Sequence, residues 1–317
     1  MKKALITGIT GQAARYLADL LLLEGYEVTG LIRRTSNIST KRISHLLDKI
    51  KLVQGDVTDQ YSLVRALEKS QPDEVYNLAA QSLVPVSFDQ PELTTEATGV
   101  GVLKLLNAIK TVNPKIKMMQ TSSSEMFGLV QETPQKETTP FHPRSPYATA
   151  KCFAHWTCVN YRESYGMFAS TAICFNFESV NRGLEFVTKK ITNGVMKIVR
   201  GETKELKLGN IKAKRDWGFV EDTVRAMYLI MQHHTPDDFV VATGETHSVE
   251  EFLELAFGHF NLKWQDYVVI DPALIRPAEV DLLLGDNTKI QNTLGWKPKV
   301  KFNELVKMMM EAEINEK

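Results

Sequence analysis

Tyr147 and Lys151 stand four residues apart, so on a helix they share one face. Of the nine tyrosines, Tyr147 alone has a lysine at that offset. A phenol ionises near pH ~10 and is a poor base at neutrality, but an adjacent ammonium favours the phenolate. Tyr147 can then take the proton of a hydroxyl while hydride leaves the same carbon. Upstream, Ser122-Ser123-Ser124-Glu125 ends a β-type run and offers hydroxyls beside a carboxylate. Next to a freshly formed ketone a C–H bond becomes acidic, and a carboxylate such as Glu125 can remove that proton while water departs from the neighbouring carbon. The structural alternative for Glu125 is an acid favoured near a helix start by the helix dipole.

A hydride needs an acceptor, and Gly8-Ile9-Thr10-Gly11-Gln12-Ala13-Ala14 supplies a place for one. This turn follows the first β-type run and opens a helical pattern, so its amides and a helix N-terminus can meet a pyrophosphate. The plain alternative is a tight turn without a ligand. After the second run, where an NAD site would carry Asp or Glu, the chain has Arg33-Arg34. A guanidinium there favours the 2′-phosphate of NADP, the alternative being a solvated basic turn. Asp56 and Val57 after the third run, and Leu78, Ala79 and Ala80 after the fourth, are further candidate cofactor contacts. Small residues there let a cofactor approach the backbone.

These groups need a frame, and the first half of the chain predicts it. Strands are expected at 3–7, 27–33, 51–56, 74–79, 117–121 and 170–176, alternating with helices at 13–24, 60–69, 93–110 and 148–165. Six such strands with right-handed crossovers make an α/β, Rossmann-type doubly wound parallel sheet. The pattern loosens afterwards. We therefore expect an NADP-binding domain at 1–176, with 214–238 returning to it, and a smaller α/β substrate-binding domain over most of 177–317.

The 317 residues carry 38 basic and 38 acidic side chains, a formal net charge of zero. That balance argues against a general nucleic-acid or membrane-surface binder. Three cysteines without Cys-x-x-Cys spacing fit a reducing cytosol, and no zinc or other metal site is expected. No apolar run approaches the ~18 residues of a membrane span, so a cytoplasmic protein is expected. His233-His234 reads as a helix end and Met308-Met309-Met310 as helix packing.

Beyond these general readings, the chain resembles the extended short-chain dehydrogenase/reductase superfamily and, within it, the GDP-mannose 4,6-dehydratases. The resemblance covers nearly the whole chain. Carrying it are Gly8-Ile9-Thr10-Gly11-Gln12, Arg33-Arg34, Val75-Tyr76-Asn77-Leu78-Ala79-Ala80-Gln81-Ser82, Ser124-Glu125-Met126-Phe127-Gly128, Pro143-Arg144-Ser145-Pro146-Tyr147, Arg215-Asp216-Trp217-Gly218, Arg276-Pro277-Ala278-Glu279-Val280 and Leu294-Gly295-Trp296-Lys297-Pro298. It implies a catalytic set of Ser123, Glu125, Tyr147 and Lys151. It also implies a hydro-lyase that oxidises C4 of GDP-mannose, eliminates water across C5 and C6, and returns the hydride to C6. Implied substrate contacts are Asn176, Lys190, Arg215, Arg276 and Glu279, with Ser82 and Ser87 near hexose hydroxyls. In the resembling family the segment 35–42 approaches a neighbouring subunit's cofactor, which implies a homodimer or homotetramer.

Departures from the family pattern point to other outcomes. Ser123 replaces the usual Thr, Ala13-Ala14 replace Asp-Gly, and Phe177 and Val180 replace His and Pro. The chain is also short between Gly258 and Arg276. A GDP-heptose 4,6-dehydratase, a 4-keto reductase or an epimerase therefore stays open, as does a non-catalytic NADP-binding regulatory protein.

Overall fold

The computed structural model describes residues 1–35 and 39–315; positions 36–38, within the segment 35–42, and 316–317 lie outside the described residues. The chain opens with β1 (Lys3–Thr7), α1 (Gln12–Leu23), β2 (Glu27–Ile32), β3 (Lys51–Gln54), α2 (Gln60–Ser70) and β4 (Glu74–Asn77). It continues with α3 (Gly101–Val112), β5 (Lys117–Ser123), α4 (Pro146–Tyr165) and β6 (Ala169–Cys174). After β6 it enters a smaller lobe through α5 (Val187–Val199), then returns along α6 (Val220–Gln232), which packs on α1, into β7 (Asp238–Val241). The sheet has seven parallel strands in the order β7-β6-β5-β4-β1-β2-β3. This is the Rossmann-type doubly wound fold expected from sequence, with one strand more than the six predicted.

The apolar run of β1 buries both of its faces, as a covered parallel strand must. Ala4 and Ile6 join the core under α1 and α6, whereas Leu5 faces α2, α3 and α4. Leu17, Ala18 and Leu21 form the buried stripe of α1. The first core runs on without a break into α5, α7 (Val249–Gly258) and α8 (Phe302–Asn315), so lobe and sheet share apolar contacts. In the lobe, Asn176–Glu178 pairs with Trp217–Phe219 and Leu206–Leu208 with Val268–Ile270.

β1 and β4 are neighbours, yet the chain leaves them in opposite directions, which opens a crevice at their C-terminal ends. A buried polar chain pins the floor of that crevice. Thr7 donates to Asn77 Oδ1, Asn77 Nδ2 donates to Gln120 Oε1 at 2.6 Å, and Ala79 N donates to Thr7 Oγ1 at 3.1 Å. Three strand ends are thereby held in register by satisfied hydrogen bonds.

The helix predicted at 93–110 is instead Pro91–Thr95, a π turn at Glu96–Val100, and α3. Close packing accompanies this change of pitch: a Cβ on Gly99 would lie 3.3 Å from Ala150 O, and one on Gly101 3.2 Å from Val57. Among the described residues no helix is long and apolar enough to cross a membrane.

Candidate active site

A cleft of about 490 Å³ lies between the strand ends and the lobe. Its sheet-side wall begins at the glycine turn. Gly8 adopts φ +67°, and a Cβ there would lie 2.9 Å from Ala79 N, so only glycine fits. Gly11 N donates to Gly8 O at 2.9 Å, and Gly11 precedes α1 without any side-chain cap, leaving first-turn amides for a ligand. Gln12 Nε2 donates to Phe177 O at 3.0 Å, while its Oε1 is buried without a partner, as are Thr121 Oγ1 and Ser122 Oγ. A backbone cradle edged by unsatisfied polar atoms fits a pyrophosphate-bearing dinucleotide.

Leu78 and Ala80 line the cleft and Ala79 backs Gly8; Thr10, Asp56 and Val57 lie outside the lining. Asp56 Oδ1 accepts from Thr58 N at 2.9 Å and Thr58 Oγ1 at 2.8 Å, shaping its own turn. Arg33 is exposed just past β2.

Tyr147 enters on the first turn of α4, which Ser145 caps by accepting from Ala148 N at 3.1 Å and which Pro146 starts. Burial pushes its hydroxyl up to about 12; a hydrogen bond with Ser123 opposes this, the charge of Glu125 adds to it, and Arg182 counters. Lys151, one turn on, donates from Nζ to Thr121 O at 2.6 Å, and burial lowers it to about 8. In the structure Nζ also lies 5.8 Å from the centroid of the Tyr147 ring.

Glu125 lies in the short turn Ser124–Met126 directly after β5, with Ser123 Oγ accepting from Glu125 N at 3.2 Å. Its Oε1 is 3.5 Å from Arg276 Nη1 and 4.0 Å from Arg215 Nη2. Arg215 is buried, donates from Nη1 to Lys214 O at 3.0 Å and Val280 O at 2.7 Å, and is pulled below the ordinary guanidinium range by desolvation. Glu279 Oε1 accepts from Arg276 N at 2.9 Å and so shapes the loop that presents Arg276.

Asn176, Lys190 and Ser82 face the same cleft. Ser87 does not: it is 0% exposed and donates to Val84 O at 2.6 Å, within its own helical turn, which leaves no hydroxyl donor for a sugar.

Sequence reasoning missed Arg182. It reaches the cleft stacked on Phe186 at 3.7 Å and ion-paired with buried Glu178 at 3.1 Å. An acid four residues before it was the only local signal. The far end of the cleft, lined by Leu208, Asn210 and Leu274, was missed as well and carried none.

The family model described as GDP-mannose 4,6 dehydratase matches residues 5–309. The Arabidopsis thaliana protein "GDP-mannose 4,6 dehydratase 1" is 53% identical over 325 residues, covering 99% of this chain and 90% of that protein. The Homo sapiens "GDP-mannose 4,6 dehydratase" is 48% identical, covering 98% and 91%. In three dimensions, the Thermus thermophilus UDP-glucose 4-epimerase in complex with NAD superposes with a TM-score of 0.87 at 25% identity, over 99% of each chain. A cleft joining the glycine turn to a Ser-Glu-Tyr-Lys set, matched along almost the whole chain, places this protein in the GDP-mannose 4,6-dehydratase family.

Proposed function

We propose that this protein dehydrates GDP-mannose to GDP-4-keto-6-deoxymannose with NADP as a recycled cofactor. The carrying observation is the carboxylate of Glu125, which shares one cleft with Ser123 and Tyr147. A simple dehydrogenase has no use for that acid. The glycine cradle, with the orphaned Oε1 of Gln12, supports a nicotinamide dinucleotide, and Arg33 after β2 supports the 2′-phosphorylated form. When bound, such a group supplies reversible hydride acceptance.

The chain's residues do the rest. Tyr147 receives the C4 hydroxyl proton, with Ser123 orienting the phenol. Lys151, fixed to Thr121 O, holds positive charge beneath the ring. Glu125 removes the C5 proton and passes it to the C6 hydroxyl, which leaves as water; the stored hydride then returns to C6 as the proton held by Tyr147 is delivered to C5. Asn176, Lys190, Arg215 and Arg276 hold the nucleotide sugar, with Arg suited to phosphate. In this reading 1–176 and 214–238 serve the cofactor, and most of 177–317 serves the substrate.

Incubating the purified protein with GDP-mannose and no added reductant should remove one water, read by mass. A reaction that consumes stoichiometric NADPH would sink this reading. Phe177 keeps a second sugar in view, because it lines the cleft where the family pattern has His. A panel including GDP-heptose decides between them. Exposed Phe153, Trp156 and Tyr165 on α4, and Leu93 on the Pro91–Thr95 helix packed against it, support a homodimer or homotetramer. Gel filtration showing only monomer would remove that assembly.

A further inference from the structure

Arg215 and Arg276, expected at the substrate diphosphate, both lie against Glu125, but they differ in freedom. Arg215 is buried, with Nη1 committed to Lys214 O and Val280 O. The Arg276 side chain is 27% exposed, and its 3.5 Å approach to Glu125 Oε1 is longer than a well-formed charged hydrogen bond. Its backbone is held separately, through Glu279 Oε1 at 2.9 Å, so the side chain can swing without moving the loop.

We propose that Arg276 is a handover residue that restrains Glu125 until the substrate's diphosphate takes its guanidinium away. This deepens the dehydratase reading and rests on it. A diphosphate offers several anionic oxygens in the geometry a guanidinium fork prefers, so it outcompetes one carboxylate oxygen at 3.5 Å. After handover Glu125 still faces Arg215 and Tyr147, while Arg215 also feels Glu279 and Asp281. With one cation instead of two, the carboxylate is freer to accept the C5 proton. Proton abstraction is thereby tied to correct seating of the nucleotide, and Arg276 acts as a positioning residue for Glu125.

Binding of GDP alone, measured by titration calorimetry, tests this without any turnover. Four proteins form the cycle: the wild type, Glu125→Gln, Arg276→Gln and the double variant. Glu125→Gln should tighten GDP about three- to tenfold when Arg276 is present, the scale of a partly exposed ion pair. The same change should do little when residue 276 is Gln. Equal tightening in both backgrounds means simple removal of negative charge and overturns the handover, as does no tightening at all. If Arg276→Gln folds poorly, Arg276→Lys serves instead, and it should retain part of the coupling; full loss of coupling with GDP affinity intact would also overturn it. Absence of GDP binding in every protein would remove the nucleotide-sugar reading itself.

Discussion

The cleft has two walls built by opposite means. On the sheet side, the turn at Gly8 and Gly11 and the hydroxyls of Thr121, Ser122 and Ser123 lie within a few residues of a strand end. On the lobe side the cleft is faced by charge fixed at long range: Arg276 meets Glu125 across 151 residues, and Arg215 meets Val280 O across 65. A wall of backbone is sensitive to volume and φ, whereas a wall of buried charge is sensitive to the loss of one partner.

Substitutions of matched size separate the two. Tyr147→Phe sits at the seam and should leave GDP binding intact while lowering kcat about a thousandfold, the middle of the range for a lost general acid–base group. Equal loss of binding and turnover would make Tyr147 a packing residue. On the lobe wall, Arg215→Met keeps bulk but strands Lys214 O, Val280 O and Glu125; a loss of about 2–3 kcal/mol is expected in urea unfolding. A variant as stable as the parent would show that this wall tolerates charge removal after all. On the sheet wall, Gly8→Ala adds one methyl at φ +67°, for about 1–2 kcal/mol of strain, and weaker dinucleotide binding by fluorescence titration. Unchanged binding would mean that the turn relaxes.

The smallest effect is a titration. Lys151 loses its proton near pH 8, so kcat should fall by at most about tenfold per unit above that value. Stability should move the other way. The folded protein binds this proton less tightly than the unfolded chain does, where the ordinary value is 10.5. The cost of burying the ammonium is therefore fully present below pH 8 and fades as pH rises toward 10.5. Urea midpoints of Lys151→Met that lack this rise would assign it to Lys151; a rise that persists would assign it elsewhere.

Much of the sheet wall was legible before the structure. Alternating apolar runs marked six strands, Gly8 and Gly11 marked the first turn, and the four-residue spacing of Tyr147 and Lys151 put both on one face of α4. β7 was not found, because Asp238–Val241 is a short run reached after a long excursion. The π turn at Glu96–Val100 was hidden inside an ordinary helical period, since it accompanies contacts of Gly99 with Ala150 and of Gly101 with Val57, which sequence spacing does not record. Ser87 was misread for a related reason: a serine in a loop motif looks like a sugar ligand until its helix turns the hydroxyl onto Val84 O.

By itself the sequence determined the doubly wound sheet, the family, and the order of chemical groups along the chain, because periodicity and turn residues act within a few positions of themselves. Only the tertiary structure decided which charges face each other. Arg182 became a cleft residue by pairing with Glu178 and stacking on Phe186, and Arg276 became the partner of Glu125 because the lobe folds back over the end of β5. Coulomb energy depends on separation in space and on burial, and neither is encoded by distance along the chain.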